Sequence, residues 1–99
     1  MINKSPLIEA ISSRRLINFT YDDHLIRNAA THAIYMITAG NECLDAFQYD
    51  GYSKSGNLPD WRNFKLEKIH NLEILDSKFE IAKGYNPHST KYQNSIYKI

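Results

Sequence analysis

The chain has 99 residues with a single cysteine, and 12 basic against 11 acidic side chains leave a formal net charge of +1. That length makes one domain, with one modest core covering somewhat more than about 60% of the unfolded surface. One cysteine excludes an internal disulfide framework and a cysteine-rich zinc site, and near-neutral charge excludes a molecule-wide field that steers nucleic acid. No apolar run approaches the ~20 residues of a membrane span. Met1 to Pro6 lacks the apolar stretch of a signal peptide, so a soluble, cytoplasmic protein is expected.

Ser5-Pro6 reads as a helix start, with serine capping free amides and proline at the first helical position. Leu7, Ile8 and Ile11 then share one helical face, and the helix ends near Ser12-Ser13. Arg14 to Tyr21 alternates as a strand, with Ile17, Phe19 and Tyr21 on one side. Asp22-Asp23 is a turn, and a second strand region runs from His24 to about Thr38, with an interruption expected near Ala29 to Thr31. Gly40-Asn41 is a hairpin turn, because both residue types tolerate positive φ. Glu42 to Tyr49 returns, Asp50 to Asp60 is a long loop, Trp61 to Lys68 is a strand and Leu72 to Leu75 a last short one. The tail from Phe79 to Ile99 keeps Tyr85, Tyr92, Ile96 and Tyr97, which suggests that it packs. One short helix followed by about five strands predicts a mainly β fold, a small five-stranded barrel over residues 1–79 with the tail, 80–99, packed against it.

The stretches E-A-I-S-S-R-R-L-I-N-F-T-Y (Glu9 to Tyr21), Arg27, T-H-A-I-Y (Thr31 to Tyr35) and F-K-L-E-K-I (Phe64 to Ile69) occur in an order and spacing that resembles the WYL domain. This is the SH3-like or Sm-like barrel of bacterial and phage regulators. The resemblance covers roughly Leu7 to Phe79. Three departures stand out. The Trp-Tyr-Leu that names the family aligns with Glu42, Cys43 and Leu44; Thr31 replaces the usual proline before the histidine; and Lys65 and Lys68 replace two arginines. Lysine keeps the charge but loses the planar two-pronged fork.

The resemblance implies a ligand-sensing, transcription-regulating module that binds a nucleotide or short single-stranded nucleic acid. A regulatory protein partner would then be modulated, and a homodimer is compatible with this reading. Most such domains follow a helix-turn-helix DNA reader; with the barrel starting near Arg14, the sensor alone is expected here. Arg27, His32, Tyr35, Arg62, Lys65 and Lys68 are the candidate ligand-binding residues. The basic set suits phosphate, and a tyrosine suits base stacking.

Each has a plainer reading. Arg62, Lys65 and Lys68 are also what a solvated strand face offsets with Asp60 and Glu67. His32 also suits a ring satisfied by a backbone carbonyl, Tyr35 the core wall, and Arg27 a pair with Asp22 or Asp23. Arg14-Arg15 reads as a solvated basic corner. The loop Gly51 to Gly56 suits either an anion cradle or a plain hairpin connection, and lacks the P-loop order. Four dispersed histidines and a mid-strand Cys43 present neither a metal set nor a nucleophile with its base, so no metal, cofactor or enzymatic activity is expected. The rival reading is an SH3-like protein-interaction module using Tyr49, Tyr52 and Trp61 as a groove.

Overall fold

The computed structural model describes residues 4–37, 40–53 and 56–99. Helix α1 (Ser5–Ser12) leads into strands β1 (Arg15–Thr20), β2 (Ile26–Met36), β3 (Glu42–Gly51), β4 (Asp60–Lys65) and β5 (His70–Lys78). The tail contributes β6 (Ser95–Lys98). All strand pairs are antiparallel, in the order β4-β3-β2-β1-β5, with β6 beside β2. The protein is thus mainly β with one short helix. Among the described residues the ladder runs open, from β4 at one edge to β5 at the other, so the strand pairing does not close a five-stranded barrel. Thr38, the expected end of the second strand region, and Ala39 lie outside the described residues; Gly40 of the Gly40-Asn41 turn has φ +79°. Lys54 and Ser55 of the Gly51 to Gly56 loop likewise lie outside them. Among the described residues no helix is long and apolar enough to cross a membrane.

Helix α1 starts one residue earlier than a Ser5 cap requires. Lys4 takes the cap position without a side-chain cap hydrogen bond, and Pro6 sits in the first turn, where its missing N–H costs nothing. The helix buries Leu7, Ala10 and Ile11. Arg14 then adopts left-handed φ (+57°), and its carbonyl accepts the Phe79 N–H at 2.8 Å, tying the helix exit to the end of β5. The corner is not wholly solvated, since Arg15 Nε donates to the Leu75 carbonyl at 2.7 Å.

Strand β2 runs unbroken through Ala29 to Thr31, where the alternation weakens. The physical reason is a pair of register shifts against β3, between Asn28 and Ala29 and between Thr31 and Ala33. Such irregularities change which parity of residue faces which side. Ala29 and Ile34 accordingly join one apolar cluster, with Leu7, Ile11, Ile17, Phe19, Leu44 and Phe64. Ala33 and Tyr35 join a second, with Cys43 and Tyr92.

The tail closes over this second side. The Ile99 N–H donates to the His32 carbonyl (3.1 Å), the Ala82 N–H to His32 Nε2 (3.0 Å) and Trp61 Nε1 to the Lys83 carbonyl (3.0 Å).

Candidate functional site

Strand β4 and the tail leave between them a cavity of about 480 Å³. One wall is aromatic. Trp61 and Tyr85 stack with ring centroids 6.0 Å apart and planes 27° from parallel. Trp61 is further fixed by edge contacts to Phe47 (5.4 Å) and His32 (4.8 Å), besides its bond to Lys83. Gly84 (φ +92°) lets the tail pass close by; a Cβ there would stand 3.3 Å from Trp61 Nε1. Arg62 and Lys91 also line the cavity.

The cavity is also lined by Asp45 on β3, whose side chain is only 6% exposed. A carboxylate so placed must be compensated by donors, and four are present. Oδ1 accepts from the Tyr35 hydroxyl and from Asn63 Nδ2, both at 3.0 Å. Oδ2 accepts from the Tyr92 hydroxyl at 2.8 Å and pairs with Lys91 Nζ at 2.6 Å. Burial pushes the Asp45 carboxyl up, but the bonds from Asn63, Lys91 and Tyr92 outweigh it and hold the group below the usual carboxylate value. Burial and the adjacent carboxylate both raise the Tyr35 and Tyr92 phenols far above their ordinary range, so both stay protonated donors. Burial, and then Asp45, also raises the Cys43 thiol, which keeps it out of thiolate chemistry.

The six residues singled out by sequence fall in several places. Arg27 is buried on β2, where its two Nη atoms grip the Asp23 carboxylate (2.5 and 2.8 Å) between the rings of Tyr21 and Tyr52. That pairing draws the Asp23 carboxyl down to about 2. His32 is fully buried: Nδ1 donates to the Ala30 carbonyl (2.8 Å), and Nε2 accepts from Ala82. Both ring nitrogens are therefore engaged, and its task here is to pin the tail. Burial lowers its pKa, so the ring is neutral.

Tyr35 belongs to the Asp45 network, next to the cavity. Arg62 lines the cavity; its guanidinium donates to the Trp61 carbonyl (2.8 Å) and Ser53 Oγ (2.7 Å) and pairs with Asp60 (3.3 Å). Lys65 is exposed at the end of β4, beside a small hollow of about 80 Å³ flanked by Glu42 and Glu67. Lys68 lies in the short 3-10 turn Leu66–Lys68 and does not line the cavity. Of the rival groove, Tyr49 touches Phe47, itself against Trp61, whereas the Tyr52 ring lies against Arg27.

The residues that the sequence reading left out are Asp45, Asn63, Tyr85, Lys91 and Tyr92. A signal existed for the first: a carboxylate inside the run Cys43-Leu44-Asp45-Ala46-Phe47 sits where strand alternation buries side chains on both faces. The tail residues carried only their aromatic character. Among the described residues no three His, Cys, Asp or Glu side chains gather as a metal set. Comparison with family models, curated proteins and solved structures finds no match to the chain.

Proposed function

We propose that the protein is a non-enzymatic binding module. It takes a nucleotide-like ligand, a planar ring carrying an anionic group, in the cavity between β4 and the tail, and modulates a protein partner through it. The observation that carries this reading is the junction of a stacked Trp61–Tyr85 wall with the cations Arg62 and Lys91 around one cavity of about 480 Å³. Aromatic faces hold bases irrespective of their edges, and guanidinium and ammonium groups suit phosphate. The size is in the range of small-molecule sites. The ordered likeness to a sensor barrel in the sequence supports the same reading, with the contacts moved from the dispersed basic set to the cavity.

Trp61 is the only tryptophan, so its fluorescence reports on the cavity wall directly. Titration with mononucleotides and short RNA and DNA oligomers is expected to change that fluorescence saturably, and less tightly at the higher of two salt concentrations. Lys65→Ala and Lys68→Ala should leave the titration unchanged, and Arg62→Ala should weaken it about tenfold, in line with loss of one charge-assisted contact. Absence of any binding at low salt removes the reading.

A further inference from the structure

The Asp45 carboxylate presents about four acceptor positions, and all four are filled. The four donors are not equivalent. Tyr35 and Tyr92 are buried, and Asn63 is held on β4, where its Nδ2 also donates to the Tyr35 hydroxyl at 2.9 Å. Lys91 instead reaches in from outside: its side chain is 52% exposed, on a flexible four-carbon stem. Its ammonium is 5.2 Å from the centroid of the Tyr92 ring and 5.8 Å from that of Tyr35. A buried carboxylate flanked by two aromatic faces is the arrangement that holds a cationic head group. Here the chain fills it with its own side chain, and that side chain borders the open cavity.

We propose that Asp45, Tyr35 and Tyr92 form a cation seat bordering the cavity, occupied in the free protein by Lys91 and open to a ligand-borne primary alkylammonium that displaces it. The exchange replaces one ammonium by another, so Asp45 remains paired and no charge is left buried alone. Lys91, once displaced, swings to the cavity mouth and is free to meet an anionic group on the same ligand. In the resting state Lys91 is thus a tethered competitor. A tethered group acts at an effective concentration in the millimolar range, so the native protein binds amines only when they exceed that competition. This inference rests on the cavity being a binding site but not on the ligand being a nucleotide, so the two titrations fail independently.

The test uses n-butylammonium, which copies the lysine side chain, and n-butanol, its neutral counterpart. Both are titrated into the full chain and into Lys91→Ala, with Trp61 fluorescence and melting temperature as readouts. The expected result is saturable n-butylammonium binding by Lys91→Ala, at least tenfold tighter than by the native protein and accompanied by a rise in melting temperature. n-Butanol should give neither. Equal affinity of the two proteins for n-butylammonium, no saturable binding by the variant, or equal binding of n-butanol would overturn the proposal. If Lys91→Ala does not fold, Lys91→Gln, which keeps most of the stem, is subjected to the same criteria.

Discussion

Across β2, β3 and β4, Ile34, Leu44 and Phe64 lie opposite one another in a row, and all three belong to the apolar cluster that α1 covers. One residue along, Ala33, Asp45 and Asn63 form the next row, and there Asp45 and Asn63 line a polar, aromatic cavity under the tail. Side chains on a strand alternate in direction, so a single step exchanges the two environments. On the first side stability comes from removing apolar area from water. On the second, much of the buried surface is polar, so each group needs a named partner, and the partners come from β2, β4 and the tail together. The first side needs only suitable volume; the second needs geometry.

The largest expected effect breaks the apolar side. Phe64 is buried, with edge-on contacts to Phe19 (5.0 Å) and Tyr21 (5.4 Å). Phe64→Ala should cost about 4 kcal/mol, from lost transfer free energy and the cavity left behind. Urea denaturation followed by circular dichroism reads it as a lowered midpoint. A cost of about 1 kcal/mol or less would mean that the row is not a packed core.

A smaller, pH-dependent effect singles out the tail side. His32 is neutral because burial lowers its pKa, while Nε2 accepts the Ala82 N–H; protonation would set a donor against a donor. A depressed folded value means that the unfolded chain binds the proton first. The stabilisation is therefore complete above the ordinary histidine value of 6.5 and is lost as pH falls below it, through the lowered folded value. The slope is at most about 1.4 kcal/mol per pH unit in that window. His32→Phe keeps an aromatic ring between Trp61 and Phe79 but removes the titration. It should be less stable than native at pH 7.5, by about 1–3 kcal/mol for the unpaired Ala82 N–H. Its stability should vary less between pH 6.5 and pH 5. An unchanged slope in the variant would show that another group governs this window. Asp45 titrates separately, since its pKa is held below the carboxylate value of 3.8, and its contribution is lost at still lower pH.

The two sides also differ in how far they can be read from sequence. Phe64, Leu66, Ile17 and Phe19 announce themselves by period-2 alternation, and the helix by Leu7 and Ile11 on one face. These features set the mainly β class. Alternation failed at Ala29 to Thr31 because register shifts change parity, which one strand's own sequence does not display. The cavity is hard to read from sequence for a related reason. Asp45 meets Lys91 and Tyr92 across more than forty residues, so the lysine that reaches the carboxylate is not marked in sequence, whereas Lys65 and Lys68 stand close together. His32 stood out as a donor, but its role emerges only once Ala82 is placed beside it.

The smallest expected effect, of opposite sign, concerns a polar group on the apolar side, where Thr31 stands opposite Ala46 and in phase with Ala29. Thr31 lies between the two register shifts of β2 and is fully buried, and among the described residues its Oγ1 has no hydrogen-bond partner. A buried hydroxyl without a partner forfeits its hydration for nothing. Thr31→Val keeps the branched shape that suits a strand and removes the polar atom, so it should raise stability by about 1 kcal/mol or less, read as a small upward shift of the urea midpoint at unchanged slope. The gain should persist at pH 5, because Thr31 does not titrate, whereas the His32 effect should not. If Thr31→Val instead lowers the midpoint, the hydroxyl is bonded in solution, and the apolar side, like the surroundings of Asp45, pairs the polar group that it buries.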